Sequence, residues 1–189
     1  MRNDPVDNND DGFTLIELIV YSALLVLVLS VVGGLFMSGF STVNAVRTVT
    51  NASTAGQVVA DSVETNVRNA SDFRLTIPTG TDQLLVARTA QRDATLAWNC
   101  IAWYYSASGS GSIYFKQSGA AILTPSAGDL ATWVLLDEGL SPASGTGIFS
   151  TAGQQLTVSF KGLAGNHPPV IITSSATSRA GASGSLSCF

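Results

Sequence analysis

From Leu18 to Ala45 no side chain is charged, and Leu18 to Met37 forms a 20-residue stretch dominated by Leu, Val and Ile. At ~1.5 Å per residue, a helix of that length crosses the ~30 Å hydrocarbon core of a bilayer. It can do so because a helix bonds its backbone groups internally. Three other uses of such a run compete with a functional membrane segment. A cleaved secretory signal has an apolar core of ~7–15 residues behind a basic start. Here the run is longer and its start acidic, although Val43-Asn44-Ala45 has the small residues of a late cleavage site. A plain signal anchor and the buried helix of a soluble core are the others. Basic flanks do not settle orientation, since only Arg2 and Arg47 border the segment.

The rest of the 189-residue chain is long enough for one domain with its own core. Charged residues make up 12% of the whole chain, about half the usual share of roughly 25%. The first twelve residues set Arg2 against Asp4, Asp7, Asp10 and Asp11, and the remainder is near neutral. Lys and Arg never cluster, so nothing here has the electrostatic footprint of a nucleic-acid binder.

Glu17 breaks the apolar pattern. A carboxylate at the bilayer centre costs roughly 2.5–3.5 kcal/mol when unpaired, and less near an interface. Such a group ordinarily has a partner, yet no Lys, Arg or His lies near it in sequence. Cleavage after Gly12 would create one, the α-amino group of Phe13.

The run Gly12-Phe13-Thr14-Leu15-Ile16-Glu17-Leu18, followed by the apolar segment, resembles the class III signal of type IV prepilins and type II secretion pseudopilins. The resemblance implies that prepilin peptidase cuts between Gly12 and Phe13 and methylates the new N-terminus. It implies that Glu17 neutralises the terminal amine of a neighbouring subunit. It also implies partners: other pilin subunits, an assembly platform protein and, indirectly, its ATPase. Many members carry Lys or Arg before the glycine, whereas this chain has Asp10-Asp11. That departure weakens an electrostatic account of leader orientation, not the cleavage expectation.

Beyond the membrane segment, positions 45, 49, 52, 56, 59, 63, 67 and 70 are Ala, Val or Gly and trace one helical face. Arg47, Asn51, Thr54, Asp61, Glu64 and Arg68 lie on the other, with Glu64 and Arg68 at the favourable i, i+4 spacing. Gly33-Gly34 weakens the helix by roughly 1 kcal/mol per glycine relative to Ala. The pair marks either a bend or a place of close packing.

After Asp72 the period changes to two. Strands are predicted at 73–77, 84–87, 96–105, 113–116, 133–136, 156–161 and 170–173, separated by Gly/Ser turns, which indicates mostly antiparallel sheet. The Trp103-Tyr104-Tyr105 strand, a short turn and Ile113-Tyr114-Phe115-Lys116 resemble the minor pilins grouped with the J-type pseudopilin, as does the stretch from Ile148-Phe149-Ser150 onward.

Cys100 and Cys188 form an even pair, consistent with one disulfide if the domain lies outside the cytoplasm and otherwise with two buried thiols. No enzyme motif emerges. His167, the sole histidine, sits in a predicted turn, and the glycine clusters lack both dinucleotide- and phosphate-loop patterns. Asp129 with Asp137-Glu138 matches no calcium-loop spacing, and no metal or cofactor is expected. Asn51-Ala52-Ser53 and Asn69-Ala70-Ser71 fit a glycosylation sequon that is common by chance.

The sequence thus predicts an α+β, pilin-like fold. Residues 1–12 form a cleaved leader, 13–40 the transmembrane and assembly half of a long helix, 41–72 its amphipathic half, and 73–189 a β-rich domain. The predicted function is structural: a minor filament subunit, first a single-pass membrane protein with its domain outside the cytoplasm, then part of a surface or periplasmic filament. The alternative is a membrane-anchored binding domain that never polymerises.

Overall fold

The computed structural model describes residues 14–90, 98–178 and 188–189. The chain divides into two compact units, Met1–Ala45 and Val46–Phe189. One helix, α1 (Leu15–Arg68), contributes to both. In the first unit its side chains from Leu18 to Asn44 are exposed throughout, and its hydropathy and length suffice to cross a membrane.

In the second unit α1 buries Gly56, Val59, Ala60, Val63 and Val67, all on the predicted face or beside it. Burial begins at Gly56, since Val49 is exposed and Ala52 half-buried. A Cβ at Gly56 would come within 2.2 Å of Ile172 Cδ1. The small side chains therefore let α1 approach the sheet closely. The helix stops at Arg68, four residues before the expected end at 72. Asn69 donates its side-chain amide to the Thr65 carbonyl at 2.8 Å, a local bond that competes with further helix. Ala70, expected on the helical stripe, is buried instead as the first residue of a strand paired with Thr89.

Sheet 1 is an antiparallel meander of β1 (Ala70–Thr76), β2 (Gln83–Ala90), β3 (Trp98–Ser106), β4 (Ser112–Ser118) and β5 (Val134–Glu138). Sheet 2 holds β6 (Leu140–Pro142), β7 (Phe149–Ala152), β8 (Gln155–Ala164) and β9 (His167–Thr177). β9 pairs along β8 on one side, while β6 and β7 share the other, and every pairing is antiparallel. Gly139, at φ +78°, is where the chain leaves sheet 1 for sheet 2. Trp133 lies just before β5 rather than in it, at the end of a short 3₁₀ turn. His167-Pro168-Pro169, expected as a turn, opens β9. Two consecutive prolines are tolerated there because β9 pairs on one side only among the described residues.

The main core joins the helix to both sheets. It includes Val59, Val63 and Val67 from α1, Leu85, Trp103 and Ile113 from sheet 1, and Leu156, Val158 and Phe160 from sheet 2. Trp103 donates its indole N–H to Ser62 Oγ at 3.1 Å, so the largest buried side chain is satisfied by the helix it packs on. Glu64 accepts from Ser174 and pairs with Arg68, tying α1 to β9. A second cluster covers the opposite face of sheet 1: Leu84, Val86, Ala102 and Tyr104 meet Ile122, Trp133 and Cys188. The centre of the meander is therefore buried on both faces. That is why β2 and β3 read as continuous rather than alternating apolar runs.

Gln83 joins the two sheets. Its amide donates to the Phe149 carbonyl and accepts from the Phe149 N–H, both at 2.8 Å, taking the ladder position a neighbouring strand would occupy. A Cβ on Gly147 would fall 2.3 Å from the Gln83 nitrogen, so this interlock requires glycine at 147. Gln83→Leu is expected to strand both buried Phe149 groups at about 1–3 kcal/mol each. Chemical denaturation of the two proteins is the check, and an unchanged midpoint would contradict it.

Asp82 anchors the same end of sheet 1, accepting from Tyr104 Oη at 2.7 Å and the Ala107 N–H at 2.8 Å. Burial, and then the bond to Asp82, push the Tyr104 hydroxyl from 10.0 up to about 12. The folded value is the higher one, so this contribution is complete below pH 10 and disappears as pH rises through 12. Tyr104→Phe is expected to flatten the fall in thermal stability over that window. Parallel melting curves of variant and wild type across it would refute the assignment.

Candidate functional site

The start of α1 is built as a helix cap. Thr14 precedes the helix, its carbonyl accepting the first intrahelical bond from Leu18 N–H at 3.2 Å. Its Oγ1 accepts the Glu17 N–H at 3.4 Å and donates to Glu17 Oε2 at 3.5 Å. Thr-x-x-Glu is capping-box spacing, with the carboxylate here turned to the cap hydroxyl. From one turn further on, Tyr21 Oη donates to Glu17 Oε1 at 3.3 Å. The positive end of the helix dipole favours an anion in this first turn.

Glu17 is half-buried, whereas its flanking residues on α1 are exposed. Among the described residues its partners are two neutral hydroxyls, not a cation. The i−3 threonine and i+4 tyrosine were visible in the sequence as spacings, but a search for a charged partner passes over them. Gly12 and Phe13, the predicted processing residues, lie outside the described residues. Gly33 and Gly34 lie within α1, with open space where a Cβ would be on each.

Cys100 and Cys188 form a disulfide with Cα atoms 5.5 Å apart. Cys188 is fully buried in the second cluster, and the Arg74 guanidinium stands 4.8 Å from the ring centre of Phe189. Of the chain that leads to Cys188, Ser174–Thr177 belong to β9, while 179–187 lie outside the described residues.

The acidic residues considered for calcium are engaged separately. Asp129 accepts from the Ser126 hydroxyl at 2.7 Å and from its N–H at 3.0 Å, which holds its carboxyl below the usual range. Asp137 accepts the Glu138 N–H at 2.9 Å, and burial raises its carboxyl.

Residues 7–33 match the family model of the prokaryotic N-terminal methylation motif. No curated protein and no solved structure matches the chain. The matched segment takes in Gly12, Phe13, the Thr14–Glu17–Tyr21 cap and the first half of the apolar helix. A prepilin-type, class III signal thus stands at the head of an α+β, pilin-like architecture. The matched segment is prepilin-type; it leads into a helix long enough to cross a membrane and is followed by a C-terminal globular domain.

Proposed function

We propose that this chain is a minor subunit of a type IV pilus or type II secretion-like pseudopilus. Prepilin peptidase removes residues 1–12 and methylates Phe13. Residues 13–40 serve first as the membrane segment and then as the buried assembly helix, with Gly33-Gly34 as its point of bending. The β-rich domain stands outside the cytoplasm. Other pilin subunits surround the helix, and a platform protein with its ATPase drives extraction from the bilayer. The J-type pseudopilin group is the branch this reading favours, on the Trp103-Tyr104-Tyr105 strand and the hairpin that follows.

The observation that carries the proposal is the methylation-motif match over 7–33, in which Glu17, the one carboxylate between Gly12 and the end of the match, sits five residues after that glycine. A membrane anchor alone gains nothing from a carboxylate at that depth. A helix that must be paired with the amine of the next subunit does.

Processing is the test. Mass spectrometry of membrane fractions is expected to show a chain beginning at methylated Phe13, and a bulky residue at Gly12 is expected to leave the leader attached. A terminus at Met1 or at Val46 would overturn the proposal. An intact leader would instead favour the anchored binding domain that does not polymerise.

A further inference from the structure

At the end of the β-domain where three connections converge, a cleft of about 410 Å³ opens between the two sheets. The β1–β2 turn supplies Thr81, the β3–β4 turn Ser110, and β6 with the loop after it Ser141 and Thr146. All four side chains are exposed, and none forms a side-chain hydrogen bond to another described residue. Apolar surface from Ala107, Leu140 and Pro142 lies between them. Among the described residues no Lys, Arg, His, Asp or Glu lines the cleft.

The frame around the four hydroxyls is held on both sides. The Gly111 carbonyl accepts from Gly139 N–H at 2.8 Å and Leu140 N–H at 3.1 Å, fixing the β3–β4 turn to the strand crossover. A Cβ at Gly111 would lie 1.8 Å from the Leu140 oxygen, and φ there is +82°, so only glycine permits the approach. Tyr105 Oη donates to the Leu140 carbonyl at 3.3 Å beneath the same junction. Asp82, next to Thr81, directs its carboxylate to Tyr104 and the Ala107 N–H, which leaves the cleft neutral. A frame fixed before the ligand arrives does not spend binding energy on ordering loops.

We infer that this cleft binds a neutral carbohydrate. Its volume falls in the range of small-molecule sites, about 300–1,000 Å³. A sugar presents hydroxyl edges that can exchange bonds with Thr81, Ser110, Ser141 and Thr146, and C–H faces that can rest on Leu140 and Pro142. An ionised ligand would lose its hydration with no opposite charge to replace it. A purely aliphatic one would strand the hydroxyls. The site lies within the second compact unit, so it does not depend on whether the chain polymerises.

The test uses the full chain in lipid nanodiscs, with no sugar-headed detergent present. Glucose, galactose, mannose and N-acetylglucosamine are titrated by saturation-transfer NMR up to about 50 mM, with glucuronate and glucosamine as charged counterparts. Saturable binding of at least one neutral sugar is expected, with its charged counterpart weaker. Thr146→Trp, at an exposed loop position, should obstruct the cleft and weaken binding at least about tenfold. The double variant Ser141→Ala/Thr146→Ala should do so in part without adding bulk. Retention of the disulfide and of the melting temperature shows that each variant is folded. No saturable binding by any neutral sugar overturns the inference. So does equal binding of the charged forms, or full binding by folded Thr146→Trp.

Discussion

Glu17→Ala is expected to leave membrane insertion and leader removal near wild-type levels, while reducing the protein's share of sheared filaments by more than about a hundredfold. In a single subunit the carboxylate has Thr14 and Tyr21 as hydroxyl partners, at 3.5 and 3.3 Å, and lies only half-buried near the start of α1. Near a headgroup region that arrangement is tolerable. In a filament the same carboxylate would be enclosed by apolar helices, and hydroxyls do not neutralise a charge. The proposed partner is the amine of Phe13 on the next subunit. Removing one member of a buried ion pair costs about 3–5 kcal/mol, because the other is stranded.

Glu17→Gln refines the test. It keeps an acceptor for Tyr21 and Thr14 but loses the charge, so it should fail almost as completely as Glu17→Ala. The measurement is the ratio of variant to wild-type protein in filaments against the same ratio in membranes. Equal ratios in both fractions would remove any assembly role for Glu17.

Removing the disulfide is expected to lower the melting temperature of the β-domain by roughly 10–15 °C, from a loss of about 4 kcal/mol. The bond closes a loop with a sequence separation of 88, and the chain-entropy estimate for such a loop is ~4–5 kcal/mol. Packing adds to it. Cys188 is fully buried against the outer face of sheet 1, where it and Ile122 and Trp133 cover Leu84, Val86 and Tyr104. Release of Cys188 would also free Phe189 from its place beside Arg74. The double variant Cys100→Ala/Cys188→Ala should therefore melt lower than the oxidised wild type, and close to the wild type treated with reductant. A change below about 2 °C in both would show that the covering is held without the bond.

The membrane-length helix was legible in the sequence, because an uncharged run such as Leu18–Ala45 has few physical solutions. Glu17 was legible for the complementary reason, as the one charge placed where charge is costly. The amphipathic half of α1 could be read from Gly56, Val59, Val63 and Val67, whose spacing is set by helix geometry alone. Short apolar runs bounded by turns located seven of the nine described strands, all but β6 and β7, and the even cysteine count allowed the bond that the fold makes.

Other features depended on contacts distant in sequence. Whether residues 69–72 continued the helix was decided by competition between local helix bonds and the ladder that Ala70 and Asp72 form with β2. The division into two sheets was not readable, because it turns on Gly139 and on a side-chain amide, Gln83, pairing with backbone 66 residues away. Trp103 and Tyr104 are adjacent in one strand, so they face opposite sides of sheet 1, and only tertiary packing buries both. The uncharged cleft is of the same kind. Thr81, Ser110, Ser141 and Thr146 look like ordinary turn residues in sequence, and become a common lining only when three separate connections are brought to one end of the fold. Periodicity and charge act over a few residues and can be read directly. Pairing between distant strands depends on which buried polar groups find partners, and that is determined only when the whole chain has packed.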